Sequence, residues 1–303
     1  MREKQAAVQQ SGLCEDWAPT GQIEVYEQLA RNARRTAGER QTILEKIIEN
    51  QIIPRLLLAN PQPLGLVPGT GNAVALKLAD NVGEFAEIVI NRDATAAVAY
   101  FLALRAAGAS IETLFQDLLA PAARRLGELW DEDINDFIDV TRGFTHLHEI
   151  VREFSDEFRD EGRRPAVNRR ALLMPVPTEQ HIFGIALIGE QFRREGWRVW
   201  GGPPKSLDEI LELVDGQWFD IVGLSSSQVS DPARLESEIR AIRQASHNDD
   251  IKVLVGGAVF AASPKLARDL GADATAIDGR QAVDQVTKLI SSGKSPKRTM
   301  RAV

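Results

Sequence analysis

One cysteine, Cys14, stands in a chain of 303 residues. A lone cysteine forms no internal disulfide, and its polar N-terminal surroundings offer no recognisable metal-ligand set. The chain has no apolar run of about 18 residues to span a bilayer. Its first residues, Met1-Arg2-Glu3-Lys4-Gln5, lack the apolar core and cleavage site of a secretory signal. A cytoplasmic location without membrane contact is expected. Positive charge is scarce: 36 Lys and Arg against 43 Asp and Glu give a formal net charge of −7. That balance argues against direct DNA contact, which needs Lys and Arg to neutralise phosphates. The basic tail, Lys294, Lys297, Arg298 and Arg301, reads as a solvated terminus. The Gly/Pro-rich stretch 65–71 has no Gly-Lys-Ser/Thr end, so it reads as a connection rather than a phosphate cradle.

What is present is ordinary globular composition, 44% hydrophobic and 26% charged, with length for two domains. Residues 1–71 read as an N-terminal helical extension and linker, with a helix over roughly Ile23 to Leu58 stopped near Pro54 and the 60–63 Asn-Pro-Gln-Pro cluster. Residues 72–165 have helical periodicity. Val98, Phe101, Leu102 and Leu104 mark one helix, Leu114, Leu118, Leu119 and Leu126 the next, and Gly108 and Ser110 a stop and a new N-cap between them. With a helix near Ala73 to Ile90 and another from Asp136 through Phe158, short connections imply an antiparallel four-helix bundle.

From 168 to 292 apolar runs alternate with amphipathic segments. Strands are expected at Ala171–Val176, Arg198–Trp200, Ile221–Ser225, Lys252–Val255 and Ala274–Ile277. Helices are expected near Phe183–Glu195, Leu207–Asp215, Pro232–Ser246, Pro264–Leu270 and Gln281–Ser291. Five strands alternating with five helices predict a doubly wound parallel sheet, flavodoxin- or Rossmann-like, in the order 2-1-3-4-5. The fold class is thus α plus α/β, with residues 293–303 as a basic tail.

Three places after predicted strands carry chemistry. Glu179, Gln180, His181, Ile182 and Gly184 follow the first strand, Ser225 and Ser227 end the third, and Gly256-Gly257 follows the fourth. A doubly wound sheet collects ligands at this carboxyl edge, near the reversal between strands 1 and 3. An imidazole can bind a metal through one ring nitrogen while a carboxylate holds the other, and Glu179 is placed to be that carboxylate. Each feature also has an ordinary reading: a loop histidine, close helix-on-sheet packing at Gly184, serines as cap or turn residues, and a glycine turn. Val229 and Phe260 complete the candidate binding residues.

The order Glu179-x-His181-x-x-Gly184, Ser225-x-Ser227, Gly256-Gly257, with 40 residues (185–224) and 28 residues (228–255) between its parts, resembles the cobalamin-binding domain family of methionine synthase and the methylmalonyl-type mutases. The resemblance implies a base-off, His-on cobalamin. His181 would be the lower cobalt ligand, and the displaced nucleotide tail would lie in a slot lined by the Ser and Gly-Gly positions. Two residues depart from the family pattern: Glu179 replaces Asp, and Ser227 replaces Leu. The segment Leu126-Gly127-Glu128-Leu129-Trp130 resembles the end of the helper helix in four-helix cobalamin-binding bundles, which implies that Trp130 covers the upper corrin face. In light-sensing repressors of the CarH type this tryptophan is followed by His and later by Glu-His. Here Asp131 and Asp139-Val140-Thr141 stand instead, while His146 and His148 lie further on. Being two apart, those histidines do not share a helix face.

From about Arg92 to Gly279 the chain resembles the AerR/PpaA antirepressors, which are themselves similar to the haem-or-cobalamin sensor domain of AppA. The motifs carrying this are Ala107-Gly108-Ala109-Ser110, the run Leu118 to Arg124, and Asp136 to Thr141. The resemblance implies a non-enzymatic, light-responsive cobalamin sensor, with a hydroxo or adenosyl upper group, that binds a repressor of the CrtJ/PpsR type. The alternatives are a corrinoid carrier subunit of a methyltransferase and a haem-binding redox sensor.

Overall fold

A computed structural model describes residues 71–161, 164, 168–177, 179–204 and 206–292. The expected helix over 23–58, the 65–70 connection and the basic tail lie outside these residues. The chain divides into two compact units between residues 164 and 165. No helix among the described residues is long and apolar enough to cross a membrane.

In the helical unit, α1 spans Gly71–Asn91, α2 Ala94–Ala106, α3 Ile111–Leu114, α4 Ala120–Asp131 and α5 Phe137–Asp160. Each start has a side-chain cap where the sequence supplies one. Asp93 accepts from Ala96 N at 2.9 Å, Ser110 from Thr113 N at 3.0 Å and Asp136 from Asp139 N at 2.8 Å. Between α2 and α3 the backbone reverses at Gly108, whose φ of 98° suits glycine. Helices α3 and α4 form one rod interrupted by a π-helical segment, Phe115–Leu119, in which Ala120 N–H reaches back five residues to Phe115 O. Pro121 is the reason: it has no N–H for Asp117 O, and its ring would press on that carbonyl in an α register. Counting the rod once, four helices pack as a bundle. Phe115 stacks on Phe158 at 4.3 Å and Phe101 on Phe154 at 4.7 Å between ring centroids. Gly143 lets α5 approach closely, since a Cβ there would lie 2.5 Å from Leu126 Cδ2.

The sheet unit contains β1 Arg170–Pro175, α6 Phe183–Arg194, β2 Arg198–Gly201, α7 Leu207–Gly216, β3 Ile221–Ser225, α8 Pro232–Ala245 and β4 Lys252–Gly256. It continues with α9 Ala258–Ala262, α10 Pro264–Asp269, β5 Ala274–Ala276 and α11 Gly279–Ser292. All neighbours are parallel, in the order β2-β1-β3-β4-β5. This is the doubly wound sheet that the alternation of apolar runs and helices predicts. Short helix α9 was not foreseen, because its Ala-Val-Phe-Ala-Ala sequence lies inside what reads as one turn.

Strand alternation sends Leu172, Met174, Val222, Leu224, Val253 and Val255 to one face. Helices α7 to α10 cover that face through Ile210, Val214, Leu235, Ile239, Phe260 and Ala267. Ala171, Leu173, Ile221, Leu254 and Ala276 point to the other, covered by α6 and α11 through Ile185, Phe192, Ala282 and Val286.

Candidate functional site

The carboxyl edge of the sheet brings together loops far apart in sequence. Beyond β1, Val176 N–H binds Ser225 O at 3.0 Å and Glu179 N–H binds Val176 O at 2.8 Å, so the loop folds back over the end of β3. The Glu179 side chain, 6% exposed, sits at the centre. Its Oε1 accepts from Gln180 N and His181 N, each at 2.8 Å, and from His181 Nδ1 at 2.6 Å. Its Oε2 accepts from the Ser227 hydroxyl at 2.7 Å and from Ser227 N–H. Burial alone raises the pKa of this carboxyl, but the bonds from His181 and Ser227 outweigh it and lower the pKa to about 2. An ionised carboxylate only accepts, so His181 Nδ1 is the donor and Nε2 carries the lone pair suited to a metal. The imidazole stands out from the loop with its side chain 71% exposed.

Among the described residues no group of three or more His, Cys, Asp or Glu side chains could hold a metal ion.

Beneath this loop, Pro175, Ser225, Gly256 and Ala276 form one cross-strand row on the face under α6 and α11. All are small or compact. Ser225 Oγ is buried without a hydrogen-bond partner, a costly state for a hydroxyl unless a ligand supplies the bond. A Cβ at Gly256 would lie 3.4 Å from Ala276 O, and one at Gly184, near the start of α6, would meet nothing within 4 Å. These residues fit a flat heterocyclic tail entering from the carboxyl edge. Gly257 acts differently: at φ 112° its Cβ would lie 2.0 Å from Ser226 O, so glycine is required for the turn between β4 and α9.

Other expected site residues are spread more widely. Gln180 is exposed and contributes its backbone N–H. Ile182 is half-buried and its carbonyl opens α6 by accepting from Ala186 N. Phe260, 1% exposed, belongs to the core of the opposite face, and half-buried Val229 packs against that same core. Their apolar surface is consumed there because α9 lies on the α7–α10 side. Ser227, expected to line the slot, instead turns its hydroxyl to Glu179.

In the helical unit Trp130 is 45% exposed at the end of α4, edge-on to Phe137 at 5.9 Å. Ile134, Phe137 and Ile138, which follow it in the chain, are all at least 60% exposed. His146 Nδ1 meets Val89 O at 2.8 Å. Burial lowers the His148 pKa to about 4. Both histidines are packed within the helical unit. Sequence reasoning passed over Pro175, Gly223 and Ala276, whose only signal is the cross-strand register.

Residues 169–287 match the B12 binding domain family, so the sheet unit is a cobalamin-binding domain of Rossmann-like fold. The chain is 25% identical over 172 residues to an uncharacterized 20.5 kDa protein in the bchF-crtJ intergenic region of Rhodobacter capsulatus, covering 56% of this chain and 88% of that one. Both findings are consistent with a cobalamin-binding protein of the AerR/PpaA type. The Methanosarcina barkeri monomethylamine corrinoid protein shares the fold, with a TM-score of 0.55 and 14% identity over 73% of this chain and 99% of that one.

Proposed function

We propose that the chain is a light-responsive, non-enzymatic regulator that binds cobalamin base-off and His-on and acts as an antirepressor on a repressor of the CrtJ/PpsR type. The carrying observation is His181, exposed and held at Nδ1 by a buried, ionised Glu179. In this reading His181 Nε2 is the lower cobalt ligand, and Glu179 fixes the ring tautomer and increases its basicity. Ser227 holds Glu179 from the neighbouring loop. Ser225 Oγ, buried and unpartnered, donates to the displaced heterocycle. Bound cobalamin supplies a photolabile upper bond. A cofactor whose state changes in light would alter regulation only as far as its states bind unequally to different conformations of the protein. The relative in the bchF-crtJ intergenic region supports a partner encoded nearby.

The experiment is spectral. The protein is purified with hydroxocobalamin, adenosylcobalamin or haemin and its absorption recorded before and after illumination. The expected result is retained cobalamin with a His-ligated spectrum that changes in light and is lost in His181→Ala. Light-dependent binding to a purified repressor then tests the antirepressor role. The fold shared with a corrinoid protein favours a second reading, a methyltransferase's corrinoid carrier, which requires methyl transfer to a partner. Uptake of haem alone would overturn both.

A further inference from the structure

Immediately below the small-residue row runs a second row on the same face, Leu173–Gly223–Leu254–Ala274. Residues two apart on a strand are separated by about 7 Å. Gly223 has no side chain of its own to fill its place. Leu173 fills it, since a Cβ on Gly223 would lie 2.6 Å from Leu173 Cδ2. Leu173 is 3% exposed and Leu254 6% exposed, so the small row gives way at this level to bulky, buried side chains.

We propose that Leu173, lying across Gly223, is the floor of the tail slot and sets the size of the lower heterocycle that this chain accepts. The inference rests on the lower-ligand reading above and adds the tail's stopping point. Ser225 Oγ, buried without a partner one row above, marks the level at which a polar edge of the heterocycle is received. On its other side Leu173 borders a cavity of about 20 Å³, also lined by Ile185, Gly189 and Val199. That space lets Leu173 yield by a rotamer change but is far too small for a bicyclic base. A side chain at Gly223 is therefore accommodated by the fold while raising the floor.

The test compares cobalamin with cobinamide, which has the corrin ring but no nucleotide base. Gly223→Val is expected to weaken cobalamin binding about tenfold while cobinamide binding stays within about twofold. Leu173→Ala, which removes the floor contact, is expected to weaken cobalamin about threefold without affecting cobinamide. Equal shifts for both corrinoids, or none for either, in Gly223→Val would overturn the proposal. If that variant does not fold, an unchanged cobalamin-to-cobinamide ratio in Leu173→Ala overturns it instead. Wild-type protein binding cobinamide as tightly as cobalamin would overturn the slot while leaving the His181 reading intact. Failure to bind either corrinoid would overturn both.

Discussion

The two faces of one sheet differ most at their carboxyl end. Under α7 to α10 the last complete row is Met174–Leu224–Val255–Thr275, mostly apolar residues on the face whose core includes Phe260, 1% exposed. One residue further along, the opposite face offers the small or compact row Pro175–Ser225–Gly256–Ala276, and each row holds one buried hydroxyl without a partner, Thr275 Oγ1 in the first and Ser225 Oγ in the second. The same strands thus support a sealed core on one side and a thin, underfilled edge on the other. The sealed face makes the thin one affordable, because stability is concentrated where no ligand has to enter.

The largest effect that would test this contrast is on the sealed face. Phe219→Ala should destabilise the protein by about 3–5 kcal/mol in urea unfolding, since the ring is fully buried against the Trp200 edge at 5.4 Å. On the thin face the sign reverses. Ser225→Ala removes a buried, unsatisfied hydroxyl and should leave cobalamin-free protein unchanged or up to about 1 kcal/mol more stable. The same change should weaken cobalamin and spare cobinamide, and equal destabilisation by both alanines would break the comparison.

At the rim the effect depends on pH. The Glu179 carboxyl titrates at about 2 when folded against an ordinary 4.5, so between those values the unfolded chain binds the extra proton and stability rises with pH. Its contribution is complete above the ordinary value and is lost as pH falls through about 2. Urea midpoints against pH should therefore show a shallower acid limb in Glu179→Gln than in wild type. At the exposed ligand, His181→Ala takes one donor from the buried Glu179 carboxylate and should destabilise the cobalamin-free protein by about 1–3 kcal/mol while abolishing the His-ligated spectrum.

Much of the fold was legible because periodicity carries it. Runs such as Ile221–Ser225 and Lys252–Val255 between amphipathic helices lead directly to the strand order observed. Two local elements were not legible. Helix α9 is short enough to pass for a turn, and the π segment leaves the apolar spacing from Leu114 to Leu126 almost untouched. At the candidate site, Glu179 beside His181 could be read as an orienting pair because the two are neighbours in sequence. The bond from Ser227 to Glu179 spans 48 positions, and Ser227 read only as a slot residue. The row through Pro175 and Ala276 required the register of four strands, which no single strand encodes.

The π segment also fixes where the helical unit presents its aromatic end. Each residue of an α-helix turns the chain by about 100°, so a single extra residue in one turn re-phases everything beyond it. The azimuth of Trp130, and of the apolar group it forms with Phe137, is thus inherited from one proline more than two turns upstream. Restoring an N–H at position 121 would give that turn a choice of register, and with it a choice of which way the tryptophan faces.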